Sequence, residues 1–312
     1  MSRRISSLAL VVAGALSLLL PHLAWAATTV IFSTGFEDSE GYLRAAAFTR
    51  QPGWAVNGTG GNGIFYETNQ AFIGYGPPIS DSETSTTVWK PINYGSVPSN
   101  SILKFTIDMA IIDSSVIDRD EFRWSVYNTN DTRLFSLIFD NVSLEIFSFL
   151  SDGTTYDSGI RFRNGVWYKL VLLMDFAQNR WNASLNGIDL KINSPISVSR
   201  QVPLNFGDVD AVWFYTDPLY PGDNFMQFDN YRVTLESATR PNLQSLSATN
   251  RQFRLRLIGE NGVRYAVEAS ATLASNSWLA IATNIVSSGS FDLVDPMQPP
   301  PSRRFYRGRW LP

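Results

Sequence analysis

Carboxylates two residues apart on an extended strand point to the same side of it, so they can divide the roles of acid and base between them. The sequence has two such places. Asp118-Arg119-Asp120-Glu121 offers one pair and continues on the same face to Phe122. Asp208-Val209-Asp210 offers another and continues to Val212. Neither reaches a third acid, so both are read as solvated acids at strand ends. Nucleophilic chemistry is more tightly bounded. There is no cysteine, and the one histidine is His22, inside a segment read below as a removable leader. Without them no Ser-His-Asp or Cys-His mechanism, no disulfide and no thiolate or histidine metal site can be built. A tyrosine with an arginine keeps proton transfer chemically open. Tyr127 with Arg123, or Tyr215, fits that description, although tyrosines in strand-rich proteins are usually packing residues with a satisfied hydroxyl.

Binding chemistry is better represented. Trp213-Phe214-Tyr215-Thr216-Asp217-Pro218-Leu219-Tyr220-Pro221-Gly222-Asp223-Asn224 runs from an apolar strand into a polar, proline-containing loop. Sugars bind where aromatic faces meet their C–H surfaces beside carboxylate and amide groups. The candidate ligand-binding residues are therefore Trp213, Tyr215, Asp217, Tyr220, Asp223 and Asn224. A second loop, Asn57-Gly58-Thr59-Gly60-Gly61-Asn62-Gly63, lacks the lysine and following helix of a phosphate loop and reads as a flexible surface connection.

These residues need strands to hold them. Period-two alternation recurs after residue 27, most cleanly in Leu103-Lys104-Phe105-Thr106-Ile107-Asp108-Met109 and Phe122-Arg123-Trp124-Ser125-Val126. Apolar runs at Leu134–Phe139, Val142–Leu150, Trp167–Met174, Ala211–Tyr215 and Phe228–Leu235 continue the series. Ser151-Asp152-Gly153, Arg163-Asn164-Gly165, Asn186-Gly187 and Pro221-Gly222-Asp223 separate them as turns. Many short strands at this spacing predict an all-β sandwich. Residues 237–242 read as a linker. Residues 243–312 begin a new alternation at Phe253–Leu257, turn at Asn261-Gly262 and return through Val263–Ala269. They are expected to form a small antiparallel β-domain.

Residues 1–26 read as a signal peptide. Arg3 and Arg4 precede 13 uncharged residues, Leu8 to Leu20, and Ala24-Trp25-Ala26 supplies the small residues of a cleavage site. Pro21 and His22 interrupt the apolar run short of the roughly 20 residues that a spanning helix needs, and no later run reaches that length. The product is expected to be secreted or otherwise extracytoplasmic. Loss of the leader takes the charge balance from 25 basic against 28 acidic residues to 23 against 28. That surplus of acid argues against nucleic acid and anionic membrane as partners. Charged residues make up 17% of the chain, fewer than the roughly 25% usual for soluble domains, in keeping with strands joined by polar turns.

Two stretches carry a family likeness. Asn164-Gly165-Val166-Trp167-Tyr168-Lys169-Leu170-Val171-Leu172, then Asp175, then Trp181-Asn182-Ala183-Ser184-Leu185-Asn186-Gly187 is one. The other is the frame set by Thr34-Gly35-Phe36-Glu37-Asp38 and Gln227-Phe228-Asp229-Asn230-Tyr231-Arg232-Val233. In these, residues 27–236 resemble the concanavalin-A-like, laminin-G-like jelly-roll superfamily. The tail resembles a short β-domain of exported proteins from environmental bacteria. The likeness implies a jelly roll and, where first and last strands meet, a structural calcium ion on Glu37, Asp38 and Asp229. Retaining hydrolases of that fold carry E-x-D-x-E, and its lyases pair a tyrosine with a histidine; neither pattern is present. The expectation is a non-catalytic, lectin-like protein whose partner is a polysaccharide or surface glycan. The alternatives are a structural or adhesive envelope protein with a protein partner and a polysaccharide hydrolase or lyase with an atypical site.

Overall fold

The computed structural model describes residues 27–311 except 100, 200, 238–240, 250–251, 260–262, 275–276 and 297–302. The signal peptide, the Asn261-Gly262 turn, part of the 237–242 linker and Pro299 to Pro301 lie outside the described residues. The chain is all-β, without an α-helix among the described residues, so none there is long and apolar enough to cross a membrane.

Two antiparallel sheets make a jelly-roll sandwich. One runs β13 (Ile188–Ser194), β12 (Arg180–Leu185), β11 (Tyr168–Asp175), β6 (Ser101–Ile112), β15 (Phe225–Ser237), β4 (Ala71–Gly74) and β3 (Asn62–Ile64), with β1 (Ala27–Thr34) also paired to β15. The other runs β10 (Thr155–Arg161), β9 (Glu145–Leu150), β8 (Arg133–Asp140), β7 (Glu121–Tyr127), β14 (Asp208–Phe214), β5 (Ser85–Trp89) and β2 (Ala55–Asn57). Residues 242–311 add two three-stranded sheets. These are β16 (Asn242–Thr249), β17 (Gln252–Ile258) and β20 (Ser290–Asp295), then β19 (Leu279–Ile285), β18 (Arg264–Ser270) and β21 (Phe305–Leu311).

Alternation explains the layers. Leu103, Phe105, Ile107 and Met109 of β6 are buried, as are Phe122, Trp124 and Val126 of β7. Aromatic rings lock the sheets together: Phe105 lies 5.4 Å from Trp124, Trp124 lies 5.3 Å from Phe228, and Phe135 stacks on Trp181 at 4.0 Å. The Asn186-Gly187 turn joins β12 to β13 with φ of 49° and 79°. Both central residues are left-handed, as a type I′ hairpin turn requires. The tail has its own small core around Leu257, Tyr265 and Val267.

The glycine-rich stretch departs from expectation. Gly60 is buried, and a Cβ there would stand 2.6 Å from both Thr86 Oγ1 and the Tyr215 hydroxyl. Asn62–Ile64 enter β3. The glycines permit close backbone packing rather than a loose surface connection.

Candidate functional site

The inward set of the seven-stranded sheet defines its outward set. Since Phe122, Trp124 and Val126 of β7 enter the core, Glu121, Arg123, Ser125 and Tyr127 face out. The register carries this across the sheet. Arg133, Tyr127 and Asp208 form one row from β8 through β7 to β14. Phe149, Ser136, Ser125 and Asp210 form the next, from β9 to β14. Phe147, Ile138, Arg123 and Val212 follow, then Glu145, Asp140, Glu121 and Phe214.

Small residues lie in the middle of this face and large ones around them. Ser125 and Ser136 are buried and share a hydrogen bond of 2.7 Å. The Arg133 guanidinium stacks on Phe149 at 4.3 Å, and that of Arg123 stacks on Phe214 at 4.0 Å while pairing with Glu121. Glu121, Arg123, Ile138, Asp140, Phe147 and Phe149 surround an open depression of about 330 Å³.

Burial tunes the acids here. It pushes Asp208 up to about 6 and Asp210 well above the usual carboxylate range, where the charge of Asp208 adds to the effect. The two carboxyls are close enough for the charge of one to disfavour ionisation of the other. The Oδ1 of Asp210 is buried without a hydrogen-bond partner among the described residues. Burial also raises Tyr127, helped by the charge of Asp210, and lowers Arg133.

Asp208, Asp210 and Asp120 are not solvated strand-end acids, whereas Asp118 is half-exposed. Asp208 and Asp210 are 6% and 7% exposed. Asp120 is 1% exposed and accepts from Trp213 Nε1 at 3.0 Å, Thr216 N at 2.8 Å and Gly222 N at 2.9 Å. Its own amide and carbonyl bond the Asn224 side chain at 3.3 and 3.1 Å. It is the organiser of the 216–224 loop.

That loop therefore differs from the expected sugar platform. Trp213 and Tyr215 lie on the inward side of β14 and its extension, packed edge to face at 4.6 Å and fully buried, so neither offers a ring to a ligand. Tyr215 bonds Thr86 Oγ1 at 2.5 Å. Asn224 is buried, and Asp223 accepts from Ser114 and Ser115, bonds that hold its carboxyl down to about 2. Asp217 and Tyr220 remain exposed. Asp217 accepts from Leu219 N at 3.0 Å.

At the meeting of first and last strands, Glu37 and Asp229 approach each other across Gly35. Asp38 turns away into an ion pair with Arg44 at 2.8 Å, so it is not part of that set. Glu37 accepts from Asn69 at 2.5 Å, and burial followed by the charge of Glu37 raises Asp229. Among the described residues no group of three or more His, Cys, Asp or Glu side chains is gathered for a metal.

No family model matches this chain, and no curated relative does. Solved structures do. An endo-1,3-β-glucanase from Streptomyces sioyaensis is 11% identical with a TM-score of 0.49, covering 67% of this chain and 97% of its own. Arcelin-5, a lectin-like defense protein from Phaseolus vulgaris, is 9% identical with a TM-score of 0.44, covering 67% and 99%. A sialidase is 9% identical with a TM-score of 0.44; the match covers 62% of this chain and spans only 18% of that protein.

Phe147 and Phe149 escaped the sequence reading because they fall in an apolar run with Ile146 and Leu150. The signal was Ser148, buried on the inward side between those two. It shows that the outward side carries the larger apolar surface.

Proposed function

We propose that this protein binds a polysaccharide, without cleaving it, on the outward face of the seven-stranded sheet. The observation that carries the reading is the depression where the half-buried rings of Phe147 and Phe149 stand beside Glu121, Arg123 and Asp140. Rings supply the apolar platform for a sugar's C–H face, and charged groups at its rim bond hydroxyls. Residues 1–26 support action outside the cytoplasm.

The test is thermal unfolding against a panel of soluble polysaccharides, with Phe147→Ala and Phe149→Ala beside the wild type. A glycan at 100 times its dissociation constant should stabilise by about 2.7 kcal/mol. The shift should vanish in the Phe147→Ala protein while its unliganded fold persists. A panel in which no glycan moves the wild-type transition would refute the proposal, as would release of new reducing ends.

A further inference from the structure

We infer that the glycan taken by this face is anionic and that Arg133 reads its carboxylate, the ligand class being a uronate-type polysaccharide. The inference rests on the proposed binding face and adds the chemistry of its occupant.

Three arginines stand on the outward side of this sheet. Arg123 is paired with Glu121, and Arg161 with Glu145 at 2.6 Å. Arg133 has no acid partner among the described residues. Its guanidinium lies over the Phe149 ring at 4.3 Å, and its Nε is buried without a hydrogen-bond partner. A guanidinium nitrogen shut off from water without a partner is costly, and an arriving anion held by the group's exposed edge would offset that cost. Arg123, two rows away on the same face, is itself cationic and repels it.

The row fixes what the anion must be attached to. Arg133, Tyr127 and Asp208 sit opposite one another on three successive strands, with neighbouring side chains on one face roughly 5 Å apart. A cation, a phenol and a carboxylate in sequence suit a pyranose with an acid group at one end and hydroxyl donors at the other. The planar fork of an arginine matches a carboxylate with two parallel N–H···O bonds. Phe149 holds that fork from behind and, with Phe147, lines the adjoining depression, so acid group and sugar ring are received side by side. The chain's net charge of −3 gives no general attraction to polyanions, so selectivity falls on this one residue.

The experiment is calorimetric titration of the purified protein with an oligogalacturonate, a sulfated galactan and an uncharged β-glucan. It is repeated for Arg133→Gln, Arg133→Lys and Phe147→Ala, with thermal unfolding verifying each fold. The oligogalacturonate should bind tightest. Arg133→Gln should weaken it at least about tenfold, with Arg133→Lys between, since a charge-assisted bidentate contact is lost. The uncharged glucan should respond to Phe147→Ala and not to Arg133→Gln. If the uncharged glucan binds as tightly as the oligogalacturonate, or if Arg133→Gln leaves the oligogalacturonate unaffected while Phe147→Ala abolishes it, the anion assignment is wrong and the binding face stands. Tightest binding of the sulfated galactan overturns the choice of carboxylate. Binding of none of the three removes the face and the inference together.

Discussion

The Asp208–Asp210 pair makes a prediction about stability that needs no ligand. Burial raises Asp208 from 3.8 to about 6 in the folded protein. An acid whose folded value is raised keeps its proton in the native state where the unfolded chain has lost it. Its contribution to stability is thus greatest below pH 3.8 and falls as pH rises through about 6. The interval is 2.2 pH units, and at 1.36 kcal/mol per unit it corresponds to a loss of about 3 kcal/mol. Asp208→Asn removes that titration, and the amide keeps a hydrogen-bonding group beside Asp210. It also removes the charge that helps raise Asp210. The two proteins should have similar stability at pH 4. At pH 7 the variant should be ahead by about 3 kcal/mol, or roughly 6–12 °C in a chain of this size. Urea denaturation at half-unit pH steps measures the difference. A wild type whose stability rises between pH 4 and 7 relative to Asp208→Asn would refute the raised Asp208 carboxyl.

Asp120→Ala strips the acceptor from Trp213 Nε1, Thr216 N and Gly222 N. It should cost about 3 kcal/mol or more in urea denaturation and expose the 216–224 loop to limited proteolysis. Gly60→Ala places a methyl 2.6 Å from Thr86 Oγ1 and the Tyr215 hydroxyl. A loss of about 1–3 kcal/mol is expected, partly recovered in the thermal midpoint by adding Tyr215→Phe. Trp181→Ala removes the ring stacked on Phe135 at 4.0 Å and the indole bond to Pro195 O at 3.1 Å. Denaturant unfolding should show it less stable by about 3–5 kcal/mol.

The strands of the sandwich were legible wherever one face is polar. Leu103–Met109 and Phe122–Val126 fall inside β6 and β7 with the buried residues they implied. The region from Ala55 to Trp89 was not legible. Its strands are three to five residues long, too short for alternation to show. β10 was missed for a different reason: mostly exposed, it carries no apolar alternation to read. The 213–224 segment was recognisable as special, but Trp213 and Tyr215 were assigned to the wrong surface. Nothing in Trp213-Phe214-Tyr215 says which of the three rings points inward, because only the partner strand sets that parity. The register Trp213↔Phe122 decides it, and it leaves Phe214 outside under Arg123.

The same parity explains why the two acids of β14 were misread. An aspartate pair in an apolar strand is ordinarily a sign of a solvent-facing side, since an isolated buried carboxylate is strongly disfavoured. In β14 both sides are covered. Val209, Ala211 and Trp213 fill the sandwich, while Asp208, Asp210 and Val212 are shielded among the outward side chains of neighbouring strands. Burial there raises both carboxyls, which eases the cost of placing two acids side by side away from water. Such an arrangement contributes nothing to packing that a valine pair would not supply better. Its place on the side away from the core, in line with Tyr127 and Arg133, puts it at the edge of the proposed glycan site. Replacing Asp208 and Asp210 together by asparagine should therefore raise stability at neutral pH and weaken glycan binding at once. A double variant that gains stability but binds unchanged would separate the acid pair from the binding face.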